Sequence, residues 1–341
     1  MDMRIKELVK AAVFISLAVC IAGFLSMGFV NDKASYTRLM INEMYNEEHI
    51  DLLFLGASHV YRGIVPECVE EKLNLSVYNA GSSNQFPEDS FFLLKEILNR
   101  KKTVSVVYDI NHAMFQNYPE DSSIRTHILL DYFKPGWNKA DYALNVLDNP
   151  FYASLCYSNF MRFKETWKKP RQVAENLYTH LFDRRYKCLD YGYADKDIER
   201  YAGKGFVYSY QEMQENNYAF IPWDESTINW EQVNYLDKII DLCRERGVNL
   251  YFISIPVYSG HLVKEPRYNE IHNFFTQKAR NEGITYIDFN LDEECSLKSD
   301  SSMYMDASHL NGKGAEAFSE YLCGYAGKKS LRFTEENNRR K

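Results

Sequence analysis

Two short segments at opposite ends of the 341-residue chain hold residue types that together do acyl chemistry: Gly56-Ala57-Ser58-His59 and Asp306-Ala307-Ser308-His309. A serine hydroxyl is a poor nucleophile at neutral pH. It needs an imidazole within hydrogen-bond reach to take its proton, and a carboxylate to hold that imidazole in the right tautomer. Ser58 is the candidate nucleophile, His309 the base and Asp306 the orienting acid. The competing reading of Ser58 is an N-capping residue for a helix that begins nearby. A second Asp-x-x-His, Asp109-Ile110-Asn111-His112, shows how common that spacing is. The later pair is preferred because it follows the last predicted strand and precedes a closing amphipathic helix.

Acyl transfer also needs donors for the developing oxyanion. Three stand at predicted strand ends: the Ser58 backbone N–H, the N–H of Gly81, and the side-chain amide of Asn111. Gly81 reads equally as a turn glycine, and Asn111 as a capping or turn asparagine. His59 and Arg62 flank the nucleophile. His59 is a substrate contact or a packing residue, and Arg62 binds an anionic polymer or pairs with a carboxylate such as Glu67.

These residues need a scaffold that brings strand ends together. Residues 51–56 form a continuous apolar run ending in glycine, the pattern of a strand buried on both faces. Residues 77–81 and 104–108 read as further strands, with a helix over 87–100 between them. The rhythm returns as a helix over 230–246, a strand over 249–255, a helix over 268–282, a strand over 285–289 and a last helix over 311–326. Such alternation implies parallel βαβ units, whose ligands bind at the carboxyl ends of the strands.

The domain so defined comprises residues 51–111 and 225–326. Residues 112–224 lack the alternation and read as a mostly helical, aromatic-rich insertion. Tyr191, Tyr193, Tyr201, Phe206, Tyr208 and Tyr210 lie there, and aromatics make up 15% of the chain. They form either a sugar-binding platform or the insertion's own core.

Residues 11–30 are charge-free and apolar, long enough to cross about 30 Å of hydrocarbon as a helix. Arg4, Lys6 and Lys10 in the predicted cytoplasmic segment 1–10 place the remainder outside the cell membrane, as a single-pass protein with an extracytoplasmic domain. A cleaved signal peptide is the rival reading, and Leu17-Ala18-Val19-Cys20 bears a faint likeness to a lipoprotein cleavage site. Residues 31–50 read as a polar, helical stalk and 327–341 as a charged, frayed tail. The seven cysteines (Cys20, Cys68, Cys156, Cys188, Cys243, Cys295 and Cys323) show neither metal-ligand spacing nor a disulfide framework, so buried thiols and no metal or organic cofactor are expected. A net charge of −7 argues against nucleic acid as a partner.

The arrangement resembles the SGNH (GDSL-like) hydrolases: Gly-x-Ser after the first strand, Gly81 after the second, Asn111 after the third, and Asp306-x-x-His309 before the last helix. That resemblance implies a three-layer α/β/α, flavodoxin-like parallel sheet, with Ser58, His309 and Asp306 as triad and Ser58, Gly81 and Asn111 as oxyanion donors. The family's third block is usually Gly-x-Asn-Asp, whereas here Asn111 is flanked by Ile110 and His112. The anchor and large insertion are similar to those of members that act with membrane-bound O-acyltransferases, such as the D-alanyl transfer protein of teichoic acid assembly and polysaccharide O-acetylation proteins. This implies an acyltransferase or esterase working on a cell-surface glycan or teichoic-acid-like polymer. The alternative from another class is a catalytically silent scaffold that recruits a membrane-bound O-acyltransferase.

Overall fold

The computed structural model describes residues 3–116, 122–146, 159–214, 223, 225–263, 265–329, 331 and 333. Cys156 and most of the charged tail lie outside the described residues.

A five-stranded, wholly parallel sheet forms the centre, with strands β1 (Leu52–Gly56), β2 (Val77–Gly81), β3 (Ser105–Asp109), β6 (Asn249–Ser254) and β7 (Thr285–Asp288) in the spatial order β2-β1-β3-β6-β7. Side chains alternate across a strand, so an unbroken apolar run serves two cores. In β1, Leu53 and Leu55 enter one cluster while Leu52 and Phe54 enter the other.

Helices cover both faces. Over the first cluster lie α2 (Tyr36–Asn46), α5 (Pro87–Leu98), α9 (Trp230–Arg246) and α10 (Tyr268–Asn281). Over the second lie α3 (Ser58–Gly63), α4 (Pro66–Leu73) and α11 (Gly312–Lys328). Pro66 and Pro87 sit at the first turns of α4 and α5, where a missing N–H costs nothing, and Gly247 ends α9 in the left-handed conformation.

Among the described residues the remaining long helices are α1 (Met3–Ser26), α6 (Ser122–Leu130), α7 (Trp137–Val146) and α8 (Pro170–Phe182). Residues 4–29 are long and apolar enough to cross a membrane, with an 18-residue window of mean hydropathy 2.4 that is not buried against the domain; only the exit of the helix, at Gly28 and Phe29, is buried.

Three features depart from the sequence reading. Residues 31–50 are not a free stalk: Leu39, Ile41 and Met44 of α2 are fully buried in the first core. The described residues of the insertion include several helices, and they also contain an antiparallel hairpin, β4 (Glu199–Gly203) and β5 (Phe206–Ser209). The hairpin tip covers the edge of β2, where Asn79 N–H donates to the Lys204 carbonyl at 3.0 Å, satisfying a donor that an exposed edge strand would leave open. The tail does not fray at once after α11. Phe333 is buried against Tyr251, with ring centroids 5.1 Å apart, and its carbonyl accepts from the Ser105 hydroxyl at 3.3 Å.

Among the described cysteines, Cys243, Cys295 and Cys323 are buried free thiols. Cys20 and Cys188 are exposed, so burial does not account for every thiol.

Candidate active site

Ser58 is the first residue of α3, directly after β1. The turn is tight because Gly56 has no side chain: a Cβ there would lie 2.9 Å from Val60 Cγ2 and 3.0 Å from Asp109 Cβ. The bare glycine lets Val60 of α3 and Asp109 of β3 both close on the turn, which leaves Ser58 at the carboxyl edge of the sheet. The N–H of Ser58 stands in the first helical turn, where no intrahelical carbonyl is available to accept it. The capping expectation is not met, since Ala57 is the N-cap residue and no side-chain cap bond is made.

His309 arrives from the far end of the chain. Its Nε2 lies 2.7 Å from Ser58 Oγ, and its Nδ1 lies 2.9 Å from each Asp306 carboxylate oxygen. Asp306 Oδ1 also accepts the backbone N–H groups of Ser308 (2.8 Å) and His309 (2.9 Å), and the Ser308 hydroxyl donates to it at 3.1 Å. A carboxylate held by so many donors cannot rotate, so it fixes the ring it faces. Asn311 then caps α11 by accepting from Gly314 N–H at 3.0 Å, which pins the loop that carries the pair.

The electrostatics suit a neutral base beside an ionised acid. Burial by itself would raise the Asp306 carboxyl, but the His309 hydrogen bond, the imidazole's charge and the two backbone donors outweigh it and hold the group well below the usual carboxylate range. Burial lowers His309. Asp306 opposes that shift while the charges of His59 and Arg62 add to it, and the imidazole ends below its ordinary 6.5. His309 is therefore uncharged at neutral pH and free to accept a proton.

The pair opens onto a cleft of about 270 Å³ whose lining includes Ser58, His59, Asn84, Asn111, His112 and His309. Asn111 follows β3 and its side-chain oxygen accepts from Ala113 N–H at 3.2 Å, so the NH₂ end is what it offers the cleft. Gly81 lines a neighbouring cavity instead, beside Tyr61 and Ser83. Its lack of a side chain serves packing: a Cβ would come within 2.9 Å of the Ala57 carbonyl and 3.2 Å of Tyr61 N.

The rival Asp109–His112 pair does not assemble as a unit. Asp109 Oδ1 accepts from Ile255 N–H at 3.1 Å, and Oδ2 faces His59 Nδ1 at 3.5 Å. His112 packs edge-on to Trp223 and Tyr268, and burial together with the charges of His59 and His261 lowers it to about 4. Arg62 is not paired with Glu67; it donates to Glu199 of the hairpin at 2.8 Å.

Sequence reading missed Asn84, His261 and Glu265 in the lining. For Asn84 a signal was present: it takes a φ of +48° in the loop after β2, a conformation asparagine tolerates better than most residues.

The insertion's aromatics divide. Tyr201 and Phe206 are core residues, and Tyr191 and Tyr201 both donate to Glu43 on α2, whereas the half-buried Tyr208 and the exposed Tyr210 form a pair with centroids 5.0 Å apart and Arg200 over both rings. No group of three metal-ligating side chains occurs among the described residues.

No family model and no curated protein matches this chain.

Proposed function

We propose that the chain is a membrane-anchored serine acyltransferase or esterase that works through an acyl-Ser58 intermediate. The observation that carries this reading is the Ser58 Oγ to His309 Nε2 distance of 2.7 Å, with Asp306 on the other ring nitrogen. Ser58 Oγ attacks the acyl carbonyl as His309 takes its proton. The leaving alcohol receives that proton, and the C–O bond to Ser58 remains. An incoming hydroxyl, from a sugar or from water, then gives its proton to His309 and releases Ser58. The oxyanion formed in each half is served by the Ser58 N–H, the Asn111 amide and the Asn84 side chain at the cleft, each such donor being worth about 3 kcal/mol in the transition state.

The spatial order β2-β1-β3-β6-β7 supports a flavodoxin-like, SGNH-type assignment, because it is the doubly wound 2-1-3-4-5 order when the sheet's strands are counted along the chain. Ser58 and Asn111 follow the two strands, β1 and β3, at which that order reverses. The N-terminal helix, with Arg4, Lys6 and Lys10 in its first turns ahead of the apolar run, supports an outward-facing domain held at the cell membrane. Such a domain suits a cell-surface glycan or teichoic-acid-like polymer as acceptor and a membrane-bound O-acyltransferase as partner.

The test is incubation of the full chain in detergent with an activated acetyl ester. A burst of released alcohol and an acetyl adduct on Ser58 are expected from the native protein, with both lost in Ser58→Ala and His309→Ala. Equal turnover in those variants overturns the assignment. Turnover in no version, the native included, favours the scaffold reading.

A further inference from the structure

Residues 159–182 pack against the exit of the apolar N-terminal helix. Phe29 lies 4.8 Å from the rings of both Phe160 and Trp167, and Asn176 donates to the Gly28 carbonyl at 2.9 Å. Gly28 is also in close contact with Val173 and Leu177 of α8, since a Cβ on it would lie 2.7 Å from Val173 Cγ1 and 2.9 Å from Leu177 Cγ. The charge-free run ends at Val30, so Phe29 stands where hydrocarbon gives way to headgroups. The packing therefore fixes α8 and the turn before it at the same depth.

At that depth the segment exposes large aromatic side chains that have no role in the domain's core. Phe163 is 36% exposed, Trp167 60%, Tyr178 63% and Phe182 66%. Tyr178 and Phe182 are one turn apart on α8, with ring centroids 5.8 Å apart. Exposed apolar patches on soluble surfaces mark contact sites, and Trp and Tyr concentrate at membrane interfaces because their rings are apolar at one end and polar at the other. The same segment exposes four basic side chains, Lys164, Lys168, Lys169 and Arg171, against two acidic ones, Glu165 and Glu175, which pair with Lys168 and Arg171 at 2.8 and 2.9 Å; the segment keeps a positive surplus in a chain whose net charge is −7. Basic groups at a bilayer surface are attracted to anionic headgroups.

The geometry points to residues 159–182 as a second membrane contact, an aromatic and basic platform seated in the headgroup region of an anionic phospholipid bilayer. It rests on the reading that α1 spans the membrane and is independent of the chemistry at Ser58. The consequence is mechanical. With two attachments the domain cannot swing on a single linker, so the Ser58 cleft is held at a set height and orientation over the surface.

The full chain is reconstituted in vesicles of phosphatidylcholine and phosphatidylglycerol containing a photoactivatable phospholipid, irradiated, and mapped by mass spectrometry. Lipid adducts are expected on α1 and on the Phe163, Trp167, Tyr178 and Phe182 peptides. Tyr178→Glu combined with Phe182→Glu removes the α8 adducts and leaves those on α1 and the melting temperature unchanged, because both side chains are already exposed. Adducts confined to α1 overturn the proposal. Adducts on neither segment overturn the spanning reading on which it rests.

Discussion

His59 and Asp109 form a second imidazole–carboxylate pair beside the first, with Nδ1 3.5 Å from Oδ2, and the His59 ring meets His309 edge-on at a centroid distance of 5.2 Å. Asp109 is buried and its Oδ2 has no hydrogen-bond partner, so the facing His59 imidazole is the group set against it in an environment where an unpaired charge is costly. A proton on His59 opposes one on His309. His59→Gln removes that opposition, and the His309 value rises toward its ordinary 6.5. The acid limb of the pH dependence of kcat/KM for ester cleavage is therefore expected to move to higher pH. A limb that stays put or moves down rejects the coupling.

Asp306→Asn leaves the shape of the loop but frees the His309 ring to adopt the wrong tautomer. The acylation rate is expected to fall by about 10⁴, with far-ultraviolet circular dichroism unchanged. Retention of native kcat by this variant moves the orienting role elsewhere.

The pH dependence of stability has a definite sign. His112 is lowered to about 4 and His309 is lowered as well, so the unfolded chain binds more protons than the folded one between those values and 6.5. The stability contributed by His112 and His309 is whole above pH 6.5 and is lost as pH falls through that window, while His180, which is raised, works in the opposite sense. The depressed Asp306 carboxyl adds stability that is present above its unfolded value and lost in stronger acid. Melting temperature measured from pH 7 to 4 is expected to fall, and less steeply in His112→Gln. An identical slope in the variant removes His112 from the account.

Arg62 ties α3, and with it the nucleophile's turn, to the hairpin of the insertion through Glu199, which also accepts from the Tyr36 hydroxyl at 2.9 Å. Both charged side chains are largely buried. Removing one leaves the other charge uncompensated, so Glu199→Gln is expected to cost about 3 kcal/mol in urea unfolding. The double variant with Arg62→Met is expected to recover part of that loss. A purely additive double variant shows that the pair is not coupled.

Gly81→Ala places a methyl group 2.9 Å from the Ala57 carbonyl, immediately before Ser58. The expected result is a lower melting temperature together with loss of acylation, because α3 must move away from β2 and takes the hydroxyl away from His309. Full activity at native stability rules out the packing role assigned to this glycine.

The periodicity of the chain contained the sheet. Runs such as residues 51–56 are apolar on both alternating faces, and a strand of that kind must lie between two layers. Ser58, Asp306 and His309 were legible by type and by their places at the ends of predicted elements. The hairpin at 199–209 was not legible, because its stability comes from covering β2 and from the bonds that Tyr201 and the Lys204 N–H donate to Glu43, contacts remote in sequence. The burial of α2 escaped notice for a similar reason: its polar residues face the hairpin and its apolar ones a sheet that local composition does not reveal.

What the amino-acid order determined by itself is local: which segments bury both faces, where helices start and stop, and which side chains are chemically competent. What only the tertiary structure decided is pairing. Asp109 could have served His112 and serves His59 instead. Gly81 could have opened on the cleft and instead seats a helix. Hydrogen bonds and ion pairs act over a few ångströms, so partners so far apart along the chain are chosen by the packing of the layers between them and not by their spacing in sequence.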